Sequence, residues 1–262
     1  MITLFDTHAH LSDKVYSGDF EKIIENAKNA GLVKILNICN SANKPGNFIE
    51  LLKKYNFIYG AAGVHPLEMK GADIEKLMPL LGLGKIVALG EIGLDYHYLY
   101  EKNDKEKEIQ LQKEFFRAQL KIAKEKNLPV IVHCREAWED TMKIVEEEKV
   151  NNGVFHCFSG GEDELKKCID FGFYVSFTGP VTYPKSDVLR EAVKIAPIEK
   201  ILIETDCPYL TPQPKRGTRN EPAYVRFTAE KIAQIRGMSL EELSQITHQN
   251  ACRLFGLKFL KT

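Results

Sequence analysis

The sequence predicts a (β/α)8 TIM barrel, and three observations carry the prediction. Eight short apolar runs, most rich in Val, Ile or Phe, alternate with amphipathic stretches, as in βαβ units around a parallel sheet. The length of 262 residues suits one barrel of typical size. No low-complexity tract, long linker or compositional break divides the chain, so residues 1–262 read as a single domain.

The elements follow in order. Ile2–Asp6 gives the first strand and Asp19–Ala30 the helix behind it. Val33–Ile38, Phe57–Ala62 and Ile86–Gly90 give the next three strands, and Glu106–Lys126 a long helix after the fourth. Pro129–His133, Gly153–His156 and Phe173–Phe177 are each followed by a helical pattern: Arg135–Glu148, Asp163–Phe171 and Ser186–Ala196. After the eighth run, Ile201–Glu204, two helices are expected, at Glu221–Gly237 and Ser239–Phe255. The second is one more than a barrel needs, and its Ser239-x-x-Glu242 start resembles a capping box.

Composition narrows the function classes. Lys plus Arg and Asp plus Glu are both 36, so no net charge pulls the chain toward nucleic acid or an anionic membrane, and any polyanion must be held by a local patch. No apolar run approaches the ~20 residues of a membrane span, and MITLFDTHAH lacks the basic start and apolar stretch of a signal peptide. The six cysteines are scattered without a C-x-x-C pair, which reads as reduced thiols in a cytoplasmic protein. A monomer or weak oligomer is expected.

The chemistry lies at the strand ends. His8 and His10, at i and i+2 in extended chain, present both imidazoles to one side. Glu91 ends the fourth strand, His133 the fifth and His156 the sixth, while His65 follows the third and Asp206 the eighth. In a (β/α)8 barrel all these ends open on the one face where active sites are built. One histidine alone at such a place would read as structural, but five of the seven with two carboxylates on that face are hard to explain as packing. Imidazole and carboxylate suit Zn, Mn or a similar divalent ion, and Mg remains open. Six ligands (His8, His10, Glu91, His133, His156 and Asp206) exceed the needs of one four-coordinate ion, which favours two ions bridged by Glu91.

The neighbouring positions stay open between roles. Glu204, two residues before Asp206, either orients the site or contacts substrate, or is a charge met by a buried partner. Asp6 stands in the same relation to His8 and reads as a support to it. Cys134, Cys157 and Cys207 each follow a proposed ligand, so alternation along a strand turns them toward the helices. Lys215, Arg216 and Arg219 make the 211–220 loop the best local electropositive candidate, either a phosphate clamp or solvated surface.

In order along the chain, FDTHAHL (5–11), GVHP (63–66), GEIGLDY (90–96), LPVIVHCR (128–135), FHCFSG (155–160), IETDCPYL (203–210), RNEPAYV (219–225) and NACRLFG (250–256) resemble the TatD family of metal-dependent hydrolases, members of the amidohydrolase-like TIM barrels. The resemblance implies a metal-dependent nuclease that removes nucleotides 3′-to-5′ from DNA and sometimes RNA, single-stranded ends being the expected substrate. It places the metal-ligand role on the same six residues and makes His65, Glu204, Arg216, Arg219 and Asn220 substrate-side groups. Ser12 departs from the Asp common after H-x-H-L, and Tyr183-Pro184-Lys185 from the usual Phe-Lys-Asn run; both bear on substrate preference.

The expected mechanism has one ion on His8, His10, Glu91 and Asp206 and another on Glu91, His133 and His156. Asp206 positions or deprotonates the attacking water, with His65 and Glu204 assisting. The same water can attack a carbonyl, so an amide or ester hydrolase such as an aminoacyl-tRNA deacylase is the rival enzyme. A nucleic-acid-binding protein with a non-catalytic metal is the rival of another class.

Overall fold

The computed structural model describes residues 1–43, 45–101 and 104–259; the remaining positions of the 1–262 unit lie outside the described residues. Eight parallel strands form one sheet in the order β1 to β8: β1 (Leu4–Ala9), β2 (Leu32–Cys39), β3 (Ile58–Ala62), β4 (Ile86–Asp95), β5 (Val130–Arg135), β6 (Gly153–Phe155), β7 (Tyr174–Phe177) and β8 (Ile201–Ile203). The sheet closes where a bridge pairs Ala9 with Cys207, just past β8. The fold is the expected (β/α)8 barrel.

Around the strands lie α1 (Phe20–Asn29), α2 (Phe48–Lys54), α3 (Leu77–Leu81), α4 (Lys105–Lys126), α5 (Trp138–Glu147), α6 (Glu162–Asp170), α7 (Asp187–Ile195), α8 (Val225–Arg236) and α9 (Leu240–Leu254). The short α2 and α3 were not expected. At seven and five residues they offer too few turns for a 3.6-residue period to stand out. Chain stops match the chemistry of the ends: α4 finishes on Asn127 and α8 on Gly237, both with positive φ. Ser239 Oγ accepts from Glu242 N at 3.1 Å, starting α9 as its sequence suggests.

Alternation along the strands builds two layers of core. On β5, Ile131 joins the barrel interior while Val130 and Val132 join the layer beneath the helices; on β2, Leu36 and Ile38 point in and Ile35 points out. The interior layer also takes Ala251, Leu254 and Phe255 from the end of α9, and the Phe255 ring lies 6.0 Å from that of Phe5. The additional helix therefore plugs the N-terminal end of the barrel. The C-terminal end is left as the mouth. No helix among the described residues is long and apolar enough to cross a membrane.

Two strands differ from expectation in a way that matters for the site. β1 runs on through Ala9, so His8 lies within it rather than past it, and β4 extends five residues beyond Gly90 to Asp95. Polar residues in both extensions hide them from an apolar-run reading.

Candidate metal centre

The closing seam positions the first group of side chains. Asp206 N donates to His8 O and His10 N donates to Cys207 O, each at 2.8 Å. These two backbone bonds tie the first strand to the segment after the last and bring three side chains together. Asp6 reinforces the seam, accepting from Thr205 N (2.9 Å), Thr205 Oγ1 (2.6 Å) and His8 N (3.3 Å). Burial pushes the Asp6 carboxyl up to about 8, against those bonds from Thr205.

Crowding between β3, β4 and β5 positions the second group. Gly93 has φ +143°, and a Cβ there would meet His133 O at 2.0 Å. With no side chain at Gly93, β4 and β5 approach closely enough for Glu91 Oε1 to reach His133 Nδ1 at 2.7 Å. His156 Nε2 lies 2.7 Å from the same oxygen, and His65 Nε2 3.4 Å.

Glu91 divides the donors between its two oxygens. Its Oε2 faces His8 Nε2 at 3.4 Å; that nitrogen is 3.2 Å from His10 Nε2 and 3.6 Å from Asp206 Oδ1, and His10 Nε2 is 3.2 Å from Asp206 Oδ1. Its Oε1 faces His133, His156 and His65, and His133 Nδ1 is 3.2 Å from His156 Nε2. Two sets of donors thus meet at one carboxylate. Donor atoms of His8, His10 and Glu91 lie within 4.8 Å of one another, as do those of His65, Glu91 and His133, and those of His8, His156 and Glu204.

Burial alone would raise the Glu91 carboxyl, but the charges of His156, His65 and His8 and the bond with His133 outweigh it and hold Glu91 well below the usual carboxylate range. Burial works against a charged His156, yet Glu91 and Glu204 raise it well above an ordinary imidazole. His8 moves the other way, lowered by burial and then by the charge of His156. The two rings stack 4.0 Å apart at 13°, so charging both is unfavourable. His10, despite burial, is raised by Asp206, and His133, despite burial, by Asp95 and Glu91.

The donor set fits divalent ions. Imidazole nitrogens approach one another at 3.2 Å, a separation that shared coordination explains and like-charged imidazolium groups do not. The Nδ1 atoms of His8 and His156 are buried without a hydrogen-bond partner among the described residues, although Glu204 Oε1 stands 3.3 Å from the latter. All six predicted ligands are brought together, and His65 joins them, its Nε2 3.4 Å from Glu91 Oε1. Its Nδ1 accepts from Leu67 N at 3.1 Å, which turns Nε2 toward Glu91.

The other sequence candidates fall in distinct places. Glu204 is 1% exposed, accepting from Cys157 N (2.7 Å) and Ser176 Oγ (2.7 Å) beneath His156. It faces the histidine, not the mouth. Arg219 is fully engaged, donating to Asp19 Oδ2 at 2.6 Å and Val15 O at 2.7 Å over the Tyr16 ring. Asn220 is buried and donates to the Thr205 carbonyl at 3.0 Å and to that of Tyr209. Arg216 lies on the Tyr183 ring and donates to its hydroxyl at 2.8 Å. Cys134 packs toward Thr141 of α5, on the helix side as expected. Cys157 does not follow the alternation: β6 stops at Phe155, and a positive φ of 46° turns its thiol to Thr178 Oγ1 at 3.4 Å.

Two supporting residues escaped the sequence reading. Asp95 Oδ2 stands 3.1 Å from His133 Nε2, and Asn40 Nδ2 donates to Glu91 Oε2 at 3.2 Å. Asp95 had a readable signal, lying four residues after Glu91 and so on the same side of a strand. Asn40 had none.

Comparison with known proteins places the chain in a family. Residues 5–256 match the family described as TatD related DNase. The chain is 44% identical over 257 residues to the uncharacterized metal-dependent hydrolase YabD of Bacillus subtilis, covering 96% of this chain and 98% of that protein. It is 35% identical over 266 residues to the 3'-5' ssDNA/RNA exonuclease TatD of Escherichia fergusonii, covering 98% of this chain and 100% of that protein. The crystal structure of YJJV, a TatD homologue from Escherichia coli, superposes with a TM-score of 0.88 at 28% identity, over 97% of this chain and 98% of that one. A barrel mouth ringed by histidines and carboxylates, matched along nearly its whole length, thus belongs to the TatD family of metal-dependent hydrolases.

Proposed function

We propose that the protein is a phosphodiesterase that removes nucleotides from single-stranded DNA or RNA ends in the 3′-to-5′ direction. One observation carries the reading of the site: Glu91 presents its two oxygens to two separate donor groups at an open barrel mouth. His8, His10, Glu91 and Asp206 would hold one divalent ion, and Glu91, His133 and His156 a second, with His65 within reach. Zn and Mn suit these ligands best. Such ions supply Lewis acidity and lower the pKa of water. The choice of bond is supported by the exonuclease name of the 35%-identical relative.

The chain's own groups divide the remaining work. Asp206 is held below the ordinary carboxylate range: burial opposes this, but His10 and the charge of His8 outweigh it. It is therefore ionised at neutral pH and takes the proton of the attacking water. Glu204 and Asp95 hold His156 and His133 in orientation from behind. His65 faces Glu91 from the mouth and steadies the reacting phosphate. Arg216, on the Tyr183 ring, supplies positive charge beyond it. Arg219 and Asn220 contribute by fixing the 211–220 loop through the bonds described above.

The test is a metal-stripped preparation resupplied with one ion at a time, on end-labelled single- and double-stranded DNA and RNA beside carboxyl ester and amide substrates. Mononucleotide release from 3′ ends is the expected result. Turnover confined to carbonyl substrates overturns the reading.

A further inference from the structure

Among the described residues, two aromatic side chains stand about half in solvent: Tyr209 at 55% exposure and Tyr98 at 49%. Both stand at the mouth. Tyr209 follows β8, and Tyr98 lies in the helical turn His97–Glu101 that follows β4. With the strands in sequential order around the barrel, β4 and β8 are on opposite sides, so Tyr98 and Tyr209 lie on opposite sides of the donor cluster.

Each ring is fixed from behind and open in front. The Tyr209 backbone is tied down by its N–H to Asp206 O at 3.0 Å and by the Asn220 amide on its carbonyl, and its ring meets that of His10 edge-on at 5.9 Å. Tyr98 is backed by Arg135, whose guanidinium lies 5.1 Å from the ring centre and whose Nη1 donates to the hydroxyl at 3.4 Å. Arg135 is two residues past His133. Nothing in the described fold covers the outer parts of either ring.

Between the rings the donor atoms are recessed. The side chains of His8, His156 and Glu91 are 0–4% exposed and those of His10 and Asp206 14%. A phosphate can enter such a depression only if the bases on either side are free to splay outward, and unpaired bases find low-cost partners in aromatic faces.

We propose that Tyr209 and Tyr98 are stacking platforms for the two unpaired bases that flank the attacked phosphodiester, Tyr209 on the His10 side and Tyr98, with Arg135, on the His133 side. The proposal rests on the phosphodiesterase reading and adds how a single strand is seated across the mouth. It makes the specificity for unpaired ends a property of two rings rather than of a charged groove, in keeping with the zero net charge.

The experiment uses the metal-loaded protein and single-stranded oligonucleotides with an abasic residue on one or the other side of the scissile bond. In the wild type, each abasic substitution should raise KM about 5- to 100-fold, with a smaller effect on kcat. In Tyr209→Ala the penalty at one flank should vanish, and in Tyr98→Ala the penalty at the other, while Tyr209→Phe and Tyr98→Phe keep both. Metal content measured on every variant separates stacking from damage to the centre. Normal oligonucleotide turnover with both penalties intact in the alanine variants overturns the proposal alone. Failure of the wild type to cleave any oligonucleotide overturns the phosphodiesterase reading as well.

Discussion

Asp95 Oδ2 stands 3.1 Å from His133 Nε2, on the far side of the ring from Glu91, whose Oε1 is 2.7 Å from Nδ1. The imidazole is clamped between two carboxylates, and the clamp decides which nitrogen faces the centre. Asp95→Asn keeps the shape but removes the charge that favours this orientation. Metal affinity at one of the two proposed sites should fall about 10- to 100-fold. Titration with Co2+, followed by its visible absorption, checks this; an unchanged isotherm and spectrum would remove Asp95 from the design.

Among the described residues, Glu91 is the only side chain shared by both donor groups. Glu91→Ala should therefore abolish tight binding of two ions together, whereas Asp206→Asn should weaken one and leave the other. Metal stoichiometry after dialysis distinguishes them. Equal loss in both variants would contradict the division of ligands.

Protons should compete with metal ions for the cluster. His156, His10 and His133 are all raised above an ordinary imidazole, each by carboxylates that outweigh burial. Ions that take these nitrogens must displace protons, so binding releases acid at pH 7 and apparent affinity increases as pH rises. A pH indicator in weak buffer during Zn2+ addition reads the release directly. Binding without proton release would show that the imidazoles are neutral beforehand.

His248 offers a pH effect remote from the centre. It is buried on α9, accepts from Lys34 Nζ at 3.0 Å, and is lowered to about 4 by burial and then by the charge of Lys34. Its folded pKa lies below the unfolded one, so the native state refuses a proton that the unfolded chain takes. Stability should fall as pH drops from about 6.5 to about 4, by on the order of 3 kcal/mol. Urea unfolding of wild type and His248→Gln across this range isolates the term: the difference between them should narrow toward acid pH.

Gly93→Ala should destabilise the metal-free protein by at least about 3 kcal/mol, through left-side backbone strain and the clash with the His133 carbonyl. An unchanged urea midpoint would show that β4 and β5 can separate without loss.

Much of this was legible in the sequence because barrel geometry sends every strand end to one face. His133 and His156 needed only the strand count to be placed, and H-x-H needed only the two-residue period. The supports were harder to see. Asp95 lay in an extension of β4 too polar for an apolar-run reading, and Asn40 reaches Glu91 from just past β2 through a contact no local pattern encodes. Arg219 looked free because its partner, Asp19, is 200 residues away. Charge in a sequence reveals candidates for a partner but not whether the fold has already supplied one.

The bonds from Asp206 N to His8 O and from His10 N to Cys207 O also set an order of events. During synthesis the two histidines emerge ahead of the other site residues, and the carboxylate that completes their group follows some two hundred residues later. Until then the histidines wait on an unclosed sheet. A nascent or truncated chain ending before residue 206 therefore lacks one of the proposed ligands, and the proposed group is complete only with closure of the ring.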